Sequence, residues 1–323
     1  MVNNITLRDM AVKLEQENSF MIFPHVYPDG DAYGASIALC LALRKMGKEA
    51  WVYTLDEAPA YVRHLDLSCC TDFADSIKRP DVCIAVDQSE ESRMPDRFDK
   101  FNSGKIKMCI DHHLSKGIGD WFYVDPKASA TCEIVYNLIR EFGTGWTRDM
   151  ANAVYTGILT DTGRFMHSNT TYEVHLIAER LMNLGVDHDE IMMNIYQSKS
   201  LIQIKTEARA FGRMELLAGG KGVITFLFKD DLKDLGAKKE HTGEIIDRIK
   251  EVDGVEMAAY LEERQDGIKV SMRSKSDSTV SQICEKFGGG GHLKAAGCTI
   301  DKPMKLVHKL ISDEIEAYFA HRH

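Results

Sequence analysis

Three short apolar runs in the first half of the chain each end at or beside an aspartate or a histidine. These runs and their polar ends are 19–26 with His25, 81–87 with Asp87, and 106–111 with Asp111. Short apolar runs that alternate with helical patterns are typical of the strands of a parallel α/β sheet. Ligand sites in such sheets lie beyond the carboxyl ends of the strands. The pattern therefore predicts a fold that gathers these polar side chains at one edge of a sheet.

The elements between and after these runs predict two domains of different class. A further strand is expected at 49–55, and helices are expected at 31–46, 129–142, 148–160, 172–184 and 187–196. The later pattern indicates a polar helix at 198–212, strands at 223–228, 255–263 and 267–274, and a last helix near 303–320. We therefore expect a parallel-sheet α/β domain at 1–197, a helical connector at 198–214, and a smaller α+β domain at 215–323.

Charge and composition narrow the functional classes. The chain has 40 basic and 49 acidic residues and a net charge of −9, whereas proteins that bind long nucleic acid usually present a basic surface. No apolar run approaches the roughly 18 residues that a membrane-spanning helix needs. The eight cysteines form no CxxC pair, which favours reduced thiols. With no signal-peptide pattern at the start, we expect a cytoplasmic protein that acts on small or short anions.

The first motif is the segment from His25 to Asp31, which reads His-Val-Tyr-Pro-Asp-Gly-Asp. Pro28 and Gly30 disfavour a regular helix or strand there, so a loop can direct His25, Asp29 and Asp31 into one space. Imidazole and carboxylate are ligands for Mn²⁺, Mg²⁺ and Zn²⁺. Taken alone, Pro-Asp-Gly-Asp is an ordinary turn, so this motif needs support from the rest of the chain.

The other motifs are Asp87, the run Asp111-His112-His113, and Asp161 before Thr-Gly. An aspartate at a strand end often caps a helix, and paired histidines often lie in a solvated loop. Asp-Thr-Gly also occurs in aspartic proteases, but those have all-β surroundings. Together the motifs would place several carboxylates in one crevice, where they repel one another and burial raises their pKa values. A pair of divalent cations resolves that conflict.

The second domain contains a candidate phosphate site. Arg273 ends a predicted strand, and a four-glycine run at 288–291 precedes His292. Glycine-rich backbone can bring several N–H groups close to an anion, and a guanidinium offers a fork for phosphate. A flexible loop remains the alternative interpretation of the glycine run.

In this order the motifs resemble those of the DHH phosphoesterases. The segment GGGGHLKAAG at 288–297, with Arg273 and Ser274 upstream, resembles the DHH-associated domain that follows them. The resemblance covers nearly the whole chain, and within the family it is strongest to the NrnA group of nanoRNases and pAp (3′-phosphoadenosine 5′-phosphate) phosphatases. RecJ-like exonucleases share the motifs. One departure is Lys116, where an asparagine is common.

The resemblance implies residue roles and an active site in the cleft between the two domains. It implies two divalent metal ions, Mn²⁺ foremost with Mg²⁺ or Co²⁺ as alternatives. The implied metal ligands are His25, Asp29, Asp31, Asp87, His112 and Asp161, with Asp87 shared. The implied catalytic residues are His113, Asp87 and Asp111. The implied substrate-binding residues are Arg273, Ser274, Gly289, Gly290, Gly291, His292 and His113.

The expected activity is hydrolysis of short oligoribonucleotides to 5′-mononucleotides and dephosphorylation of pAp. The same chemistry on cyclic di-AMP or pApA is an alternative. A non-catalytic nucleotide sensor is an alternative from a different class. Long duplexes and membranes are not expected partners, and a homodimer is left open.

Overall fold

The computed structural model describes residues 3–275 and 278–320, which form two compact units that meet in the chain between Ser198 and Lys199. The first unit contains a parallel six-stranded sheet, and the second contains a mixed six-stranded sheet. The predicted fold class, an α/β domain followed by a smaller α+β domain, is confirmed. In the described part of the chain, no helix combines the length and the apolar character that crossing a bilayer requires.

The sheet of the first unit is doubly wound. Its strands are β1 (Ser19–Pro24), β2 (Glu49–Tyr53), β3 (Cys70–Thr71), β4 (Val82–Val86), β5 (Ile106–Asp111) and β6 (Trp121–Val124). Their order is β3-β2-β1-β4-β5-β6, and every neighbouring pair is parallel. After β1 the chain adds β2 and β3 on one side of the sheet, and after β4 it adds β5 and β6 on the other side. The crevice beyond the carboxyl ends of β1 and β4 is therefore the point where such a sheet binds ligands.

In the described part of the first unit, seven α-helices accompany this sheet. They are α1 (Leu7–Gln16), α2 (Gly30–Lys45), α3 (Phe98–Asn102), α4 (Thr131–Phe142), α5 (Arg148–Asp161), α6 (Tyr172–Asn183) and α7 (His188–Tyr196). Side chains of β1 alternate between two cores, with Phe20 and Ile22 on one face and Met21 and Phe23 on the other. Because both faces are covered, the central strands are continuous apolar runs.

Glycines allow α2 and α5 to approach closely beside the crevice. A Cβ on Gly34 would lie 2.3 Å from the carbonyl oxygen of Ala153. A Cβ on Gly157 would lie 2.2 Å from Cys132 Sγ and 2.8 Å from Asp31 Oδ1. No side chain fits at either position, so these glycines permit the packing that holds Asp31 in place.

The second unit has a sheet in the order β11-β12-β10-β9-β8-β7, antiparallel except for the β8–β9 pair. Its strands are β7 (Glu215–Leu217), β8 (Gly222–Leu227), β9 (Met257–Arg264), β10 (Gly267–Ser274), β11 (Gly290–His292) and β12 (Ala295–Ile300). Its helices are α8 (Leu201–Phe211), α9 (Lys229–Leu235), α10 (Ile245–Lys250), α11 (Ser281–Glu285) and α12 (Met304–Ala320).

Two cores cover the two faces of this second sheet. Met257 and Leu261 pack with α12, whereas Ala258 and Tyr260 pack with α10. The helix α8, which covers most of the expected connector, contributes Ala210 to the α10 side. It is therefore part of the second unit.

Candidate metal centre

The polar residues of the first unit converge at the crevice beyond β1, β4 and β5. The residues that meet there are His25, Asp29, Asp31, Asp87, Asp111, His112, His113 and Asp161. Within this set, three groups have donor atoms that all lie within 4.8 Å of one another. These groups are His25 with Asp29 and Asp87, Asp31 with His112 and Asp161, and Asp87 with His112 and His113.

His25 presents one ring nitrogen to the crevice. Its side chain is buried, and Nδ1 lies 2.8 Å from the carbonyl oxygen of Val26, so Nδ1 carries the proton and donates. The other nitrogen, Nε2, keeps its lone pair and lies 3.4 Å from Asp87 Oδ2 and 4.0 Å from Asp29 Oδ2. No described residue donates a hydrogen bond to this buried Nε2. This is the arrangement of a histidine that is ready to bind a metal ion.

Backbone N–H groups at helix starts hold the carboxylates of Asp29 and Asp31. Asp29 Oδ1 caps α2 by accepting from the N–H groups of Asp31 and Ala32, each at 3.1 Å. Asp31 is fully buried and accepts at 2.6 Å from the N–H of Thr131 and at 2.9 Å from that of Cys132. The start of α4 therefore stabilises the negative charge of Asp31.

Asp87 lies between the two sides of the crevice. Its Oδ2 faces His25, and its Oδ1 lies 3.7 Å from His112 Nε2. The hydroxyl of Thr131 donates to Oδ1 at 2.8 Å. The backbone of Asp87 has φ of +59°, which is an unusual conformation for a residue other than glycine. Local strain at this position aims one carboxylate at both groups of ligands.

His112 and Asp161 complete the second side. His112 Nδ1 lies 3.3 Å from the carbonyl oxygen of Ala128, which leaves Nε2 for the crevice. This Nε2 lies 3.3 Å from Asp161 Oδ2 and 3.9 Å from Asp31 Oδ2. Asp161 is the last residue of α5, and Asn169 donates to its main-chain carbonyl at 3.2 Å.

Asp111 and His113 form a separate pair at the rim. Asp111 accepts from His113 Nδ1 at 2.8 Å and from the N–H of the same residue at 3.1 Å, and it also accepts from the Ser89 hydroxyl. Burial by itself raises the pKa of Asp111, but the hydrogen bonds from His113 and Ser89 outweigh it and hold this pKa below its usual range. The His113 side chain is 44% exposed, so its remaining nitrogen is accessible to a substrate.

The carboxylates of the crevice need compensating positive charge. Burial, followed by repulsion from Asp31 and Asp29, raises the pKa of Asp87 well above its usual range. Burial raises the pKa of Asp31 as well, and burial with the nearby carboxylates of Asp31 and Asp29 raises the pKa of Asp161 to about 8. Divalent cations bound among these oxygens would supply the missing charge.

Supporting residues in the first unit were not apparent in the sequence. Thr131 contacts both Asp31 and Asp87. Arg97 is almost fully buried, donates to the carbonyl oxygens of Pro24 and His25 at 3.3 Å each, and pairs with Asp56. The helix predicted at 129–142 places Thr131 near a helix start, where its N–H group can bind a carboxylate. No local pattern indicates the role of Arg97.

In the second unit, strand register places Arg273 and His292 on one face. Arg273 in β10 pairs with Ala295 in β12, and Ala295 pairs with His292 in β11. Residues directly opposite one another in a sheet point to the same side. Ser274 points to the other side, where it is buried and its hydroxyl donates to the carbonyl oxygen of Ser278 at 2.6 Å. The side chains of Arg273 and Ser274 therefore do not share a surface.

The glycine run packs closely against β12. A Cβ on Gly289 would lie 2.2 Å from the carbonyl oxygen of Gly297, and a Cβ on Gly291, whose φ is +141°, would lie 2.5 Å from that of Ala295. Both positions require glycine for packing. Gly290 is exposed with open space around it, so its position leaves room for a ligand.

Comparison with known proteins identifies the family. Residues 19–158 match the DHH family, N-terminal domain, and residues 219–320 match the DHHA1 domain. A relative from Thermus thermophilus, named bifunctional oligoribonuclease and PAP phosphatase NrnA, is 34% identical over 88% of this chain and 85% of its own length. The chain belongs to the DHH family. Both activities in that relative's name hydrolyse phosphate esters, and the prediction of an enzyme of the phosphoesterase class is confirmed.

Solved structures agree on the fold of this DHH protein. An exopolyphosphatase-related protein from Bacteroides fragilis has a TM-score of 0.89 and 24% identity, with 99% of each chain covered. RecJ from Thermus thermophilus in complex with Mn²⁺ has a TM-score of 0.58 and 13% identity, covering 98% of this chain and 55% of its own. At these identities the likeness concerns the fold.

Proposed function

We propose that this DHH protein uses two divalent metal ions to degrade short oligoribonucleotides to 5′-mononucleotides and to remove the 3′-phosphate of pAp. The observation that carries the proposal is the position of Asp87, whose two oxygens face His25 on one side and His112 on the other. The name of the Thermus thermophilus relative supports the substrates. In both reactions the leaving group is a ribose 3′-oxygen, so one site serves both.

The donor atoms fit two divalent ions. His25, Asp29 and Asp87 would hold one ion, and Asp31, Asp87, His112 and Asp161 would hold the other. The unpartnered Nε2 of His25 and the raised pKa values of Asp87 and Asp161 support this assignment. Mn²⁺ suits these nitrogen and oxygen ligands, as do Mg²⁺ and Co²⁺. Two bound ions would supply an activated water and would stabilise charge on the phosphoryl oxygens.

His113 is the proposed proton donor. Its Nδ1–H donates to Asp111, which fixes the ring and orients Nε2 away from that carboxylate. From an exposed position at the rim, Nε2 can contact a phosphoryl oxygen or protonate the departing 3′-oxygen. Asp111 acts through His113 because it orients the ring.

The second unit would bind the substrate. It contains the domain expected at 215–323, which the connector at 198–214 joins to the catalytic domain at 1–197. Arg273, His292 and the backbone at Gly289, Gly290 and Gly291 would contact a phosphate or nucleotide. Ser274 serves this group indirectly, since its hydrogen bond to Ser278 holds the end of β10.

A hydrolysis panel tests the proposal. The purified protein with Mn²⁺ is offered a short RNA, a long RNA, pAp, pApA and cyclic di-AMP, with an EDTA-treated sample as control. We expect fast release of 5′-mononucleotides from the short RNA and of phosphate from pAp. A clear preference for pApA or cyclic di-AMP would reassign the substrate. Absence of all hydrolysis with metal demonstrably bound would contradict the proposal and favour a nucleotide sensor.

A further inference from the structure

A cavity of about 170 Å³ lies in the second unit, between α10 and the face of the sheet that β9 and β10 form. Four of its lining residues are basic: Lys239, Arg264, Lys269 and Arg273. Lys269 and Arg273 alternate with buried residues along β10, so their side chains lie on the same face. The second unit therefore gathers cations in a concave site, although the chain as a whole is acidic.

The acidic residue inside this cavity is already satisfied. Glu262 is buried, and its carboxylate accepts from the Tyr260 hydroxyl at 3.0 Å and from Arg264 Nε at 2.8 Å. Asp247 Oδ1 lies 3.7 Å from Arg273 Nε. Each of these two carboxylates thus forms its ion pair with an arginine, and neither forms one with Lys239 or Lys269.

Lys239 and Lys269 form no close ion pair with an acidic residue of the described chain. Among the described residues, no carboxylate lies within ion-pair distance of either ammonium group. Burial, followed by the nearby charge of Arg264, lowers the pKa of Lys269 and outweighs the opposite effect of Glu262, which lies across from Lys269 in the strand register. A partly buried cation surrounded by other cations is electrostatically unfavourable, and a bound anion would relieve it.

We propose that this cavity binds a phosphate monoester, with Lys239 and Lys269 as the residues that hold its charge. The identity of the ligand rests on the proposed function, because a phosphoesterase of short RNA meets two monoesters of this kind. One is the 5′-terminal phosphate of an oligonucleotide, and the other is a free 5′-mononucleotide. The arginines add donors in a fork that matches phosphate oxygens, and the Ser271 hydroxyl on the same wall adds a neutral one.

Binding without metal tests this site apart from hydrolysis. The full-length protein in EDTA is titrated calorimetrically with AMP, with adenosine, and with a trinucleotide that carries either a 5′-phosphate or a 5′-hydroxyl. We expect AMP to bind and adenosine not to bind. Lys269→Met and Lys239→Met should each weaken AMP binding by about tenfold, the loss of one charge-assisted contact. Lys305→Met on α12, which packs on the opposite face of the sheet, is the matched control and should bind like the wild type.

The trinucleotide and AMP titrations distinguish the two possible phosphate monoesters. A 5′-phosphate that strengthens trinucleotide binding in wild type and not in Lys269→Met identifies the substrate terminus. Lysine-dependent binding of AMP alone identifies the mononucleotide. Wild-type AMP affinity in both lysine variants would overturn the proposal. Lys239 is exposed at the start of a short 3-10 helix (Lys239–His241), so its variant should keep the fold. Hydrolysis of pAp with Mn²⁺ is measured separately, so a failure of the proposed function can be distinguished from a failure of the proposed phosphate site.

Discussion

The crevice of the first unit and the cavity of the second have opposite electrostatics. In the crevice, buried carboxylates outnumber nearby cations, and the pKa of Asp161 rises to about 8. In the cavity, basic side chains outnumber carboxylates, and the pKa of Lys269 falls. The net charge of −9 conceals this separation. From this difference we expect the first unit to bind cations and the second to bind anions.

The two sites also differ in how they are assembled. In the crevice, Asp31 and Asp87 come from distant segments, and the start of α4 joins them through Thr131. In the cavity, most of the charge comes from β9 and β10, which are joined by a tight connection and share one register. Loss of one residue should therefore do more damage in the crevice than in the cavity.

The largest expected effect comes from Asp87→Asn. It removes a charge that both sides of the crevice use, and we expect hydrolysis to fall by at least about 100-fold, since even outer-shell changes cost up to that much. AMP binding in EDTA should not change, because that site lies in the other unit. Steady-state hydrolysis and calorimetry measure the two effects. Asp99→Asn, at an exposed position on α3, is the control, and full activity in Asp87→Asn would refute the assignment.

Thr131→Val should have the next largest effect. It keeps the backbone N–H that binds Asp31 but removes the hydroxyl that donates to Asp87. We expect a loss of about 10–100-fold in metal affinity or activity. Titration of activity with Mn²⁺ measures it. Thr131→Ser retains a hydroxyl and should recover most of the loss; equal defects in both variants would contradict a role for the hydrogen bond.

Arg273→Gln should act on substrate binding alone. It removes a cation from the second unit, so we expect KM for a short RNA to rise by about tenfold, with a smaller change in kcat. The Mn²⁺ dependence should stay that of the wild type. Kinetics at saturating metal test this, and an unchanged KM would remove Arg273 from the substrate site.

The smallest expected effect is on stability against pH. In the metal-free protein, Asp161 stays protonated up to about pH 8, whereas an unfolded aspartate ionises near pH 4. Between these values the folded state holds a proton that the unfolded state lacks, so stability falls as pH rises. We expect the Tm in EDTA to drop by at least several degrees across this window. Asp161→Asn should reduce the drop, and Mn²⁺ should reverse it. A Tm in EDTA that rises with pH would contradict the pKa direction.

Much of the first sheet was predictable because its central strands are buried on both faces. The run predicted at 81–87 is β4, and the helix predicted at 31–46 is α2, which begins and ends one residue earlier. The edge strand β6 was missed because its apolar run, Trp121–Val124, has only four residues, and so short a run does not identify a strand by itself. No strand was predicted in the glycine run, for which a flexible loop was the alternative interpretation, but part of it forms β11, whose edge pairing depends on β12.

The candidate ligands were predictable from residue type and position, whereas their supports were not. A histidine or aspartate directly after an apolar strand-like run can be recognised from the local sequence. Thr131 acts on Asp87 across 44 positions of sequence, and Arg97 acts on the carbonyl of His25 across 72. Contacts of that kind exist only once the sheet has formed.

By itself, the sequence indicated which predicted strands end in candidate metal ligands and which segment of the second unit carries candidate phosphate-binding groups, because both follow from local pattern and residue chemistry. Only the tertiary structure decided that Asp87 faces two groups of ligands, that Ser274 is buried against Ser278, and that Lys269 forms no ion pair among the described residues. The physical reason is that burial and electrostatic interaction depend on distances of a few ångströms between residues far apart in the chain.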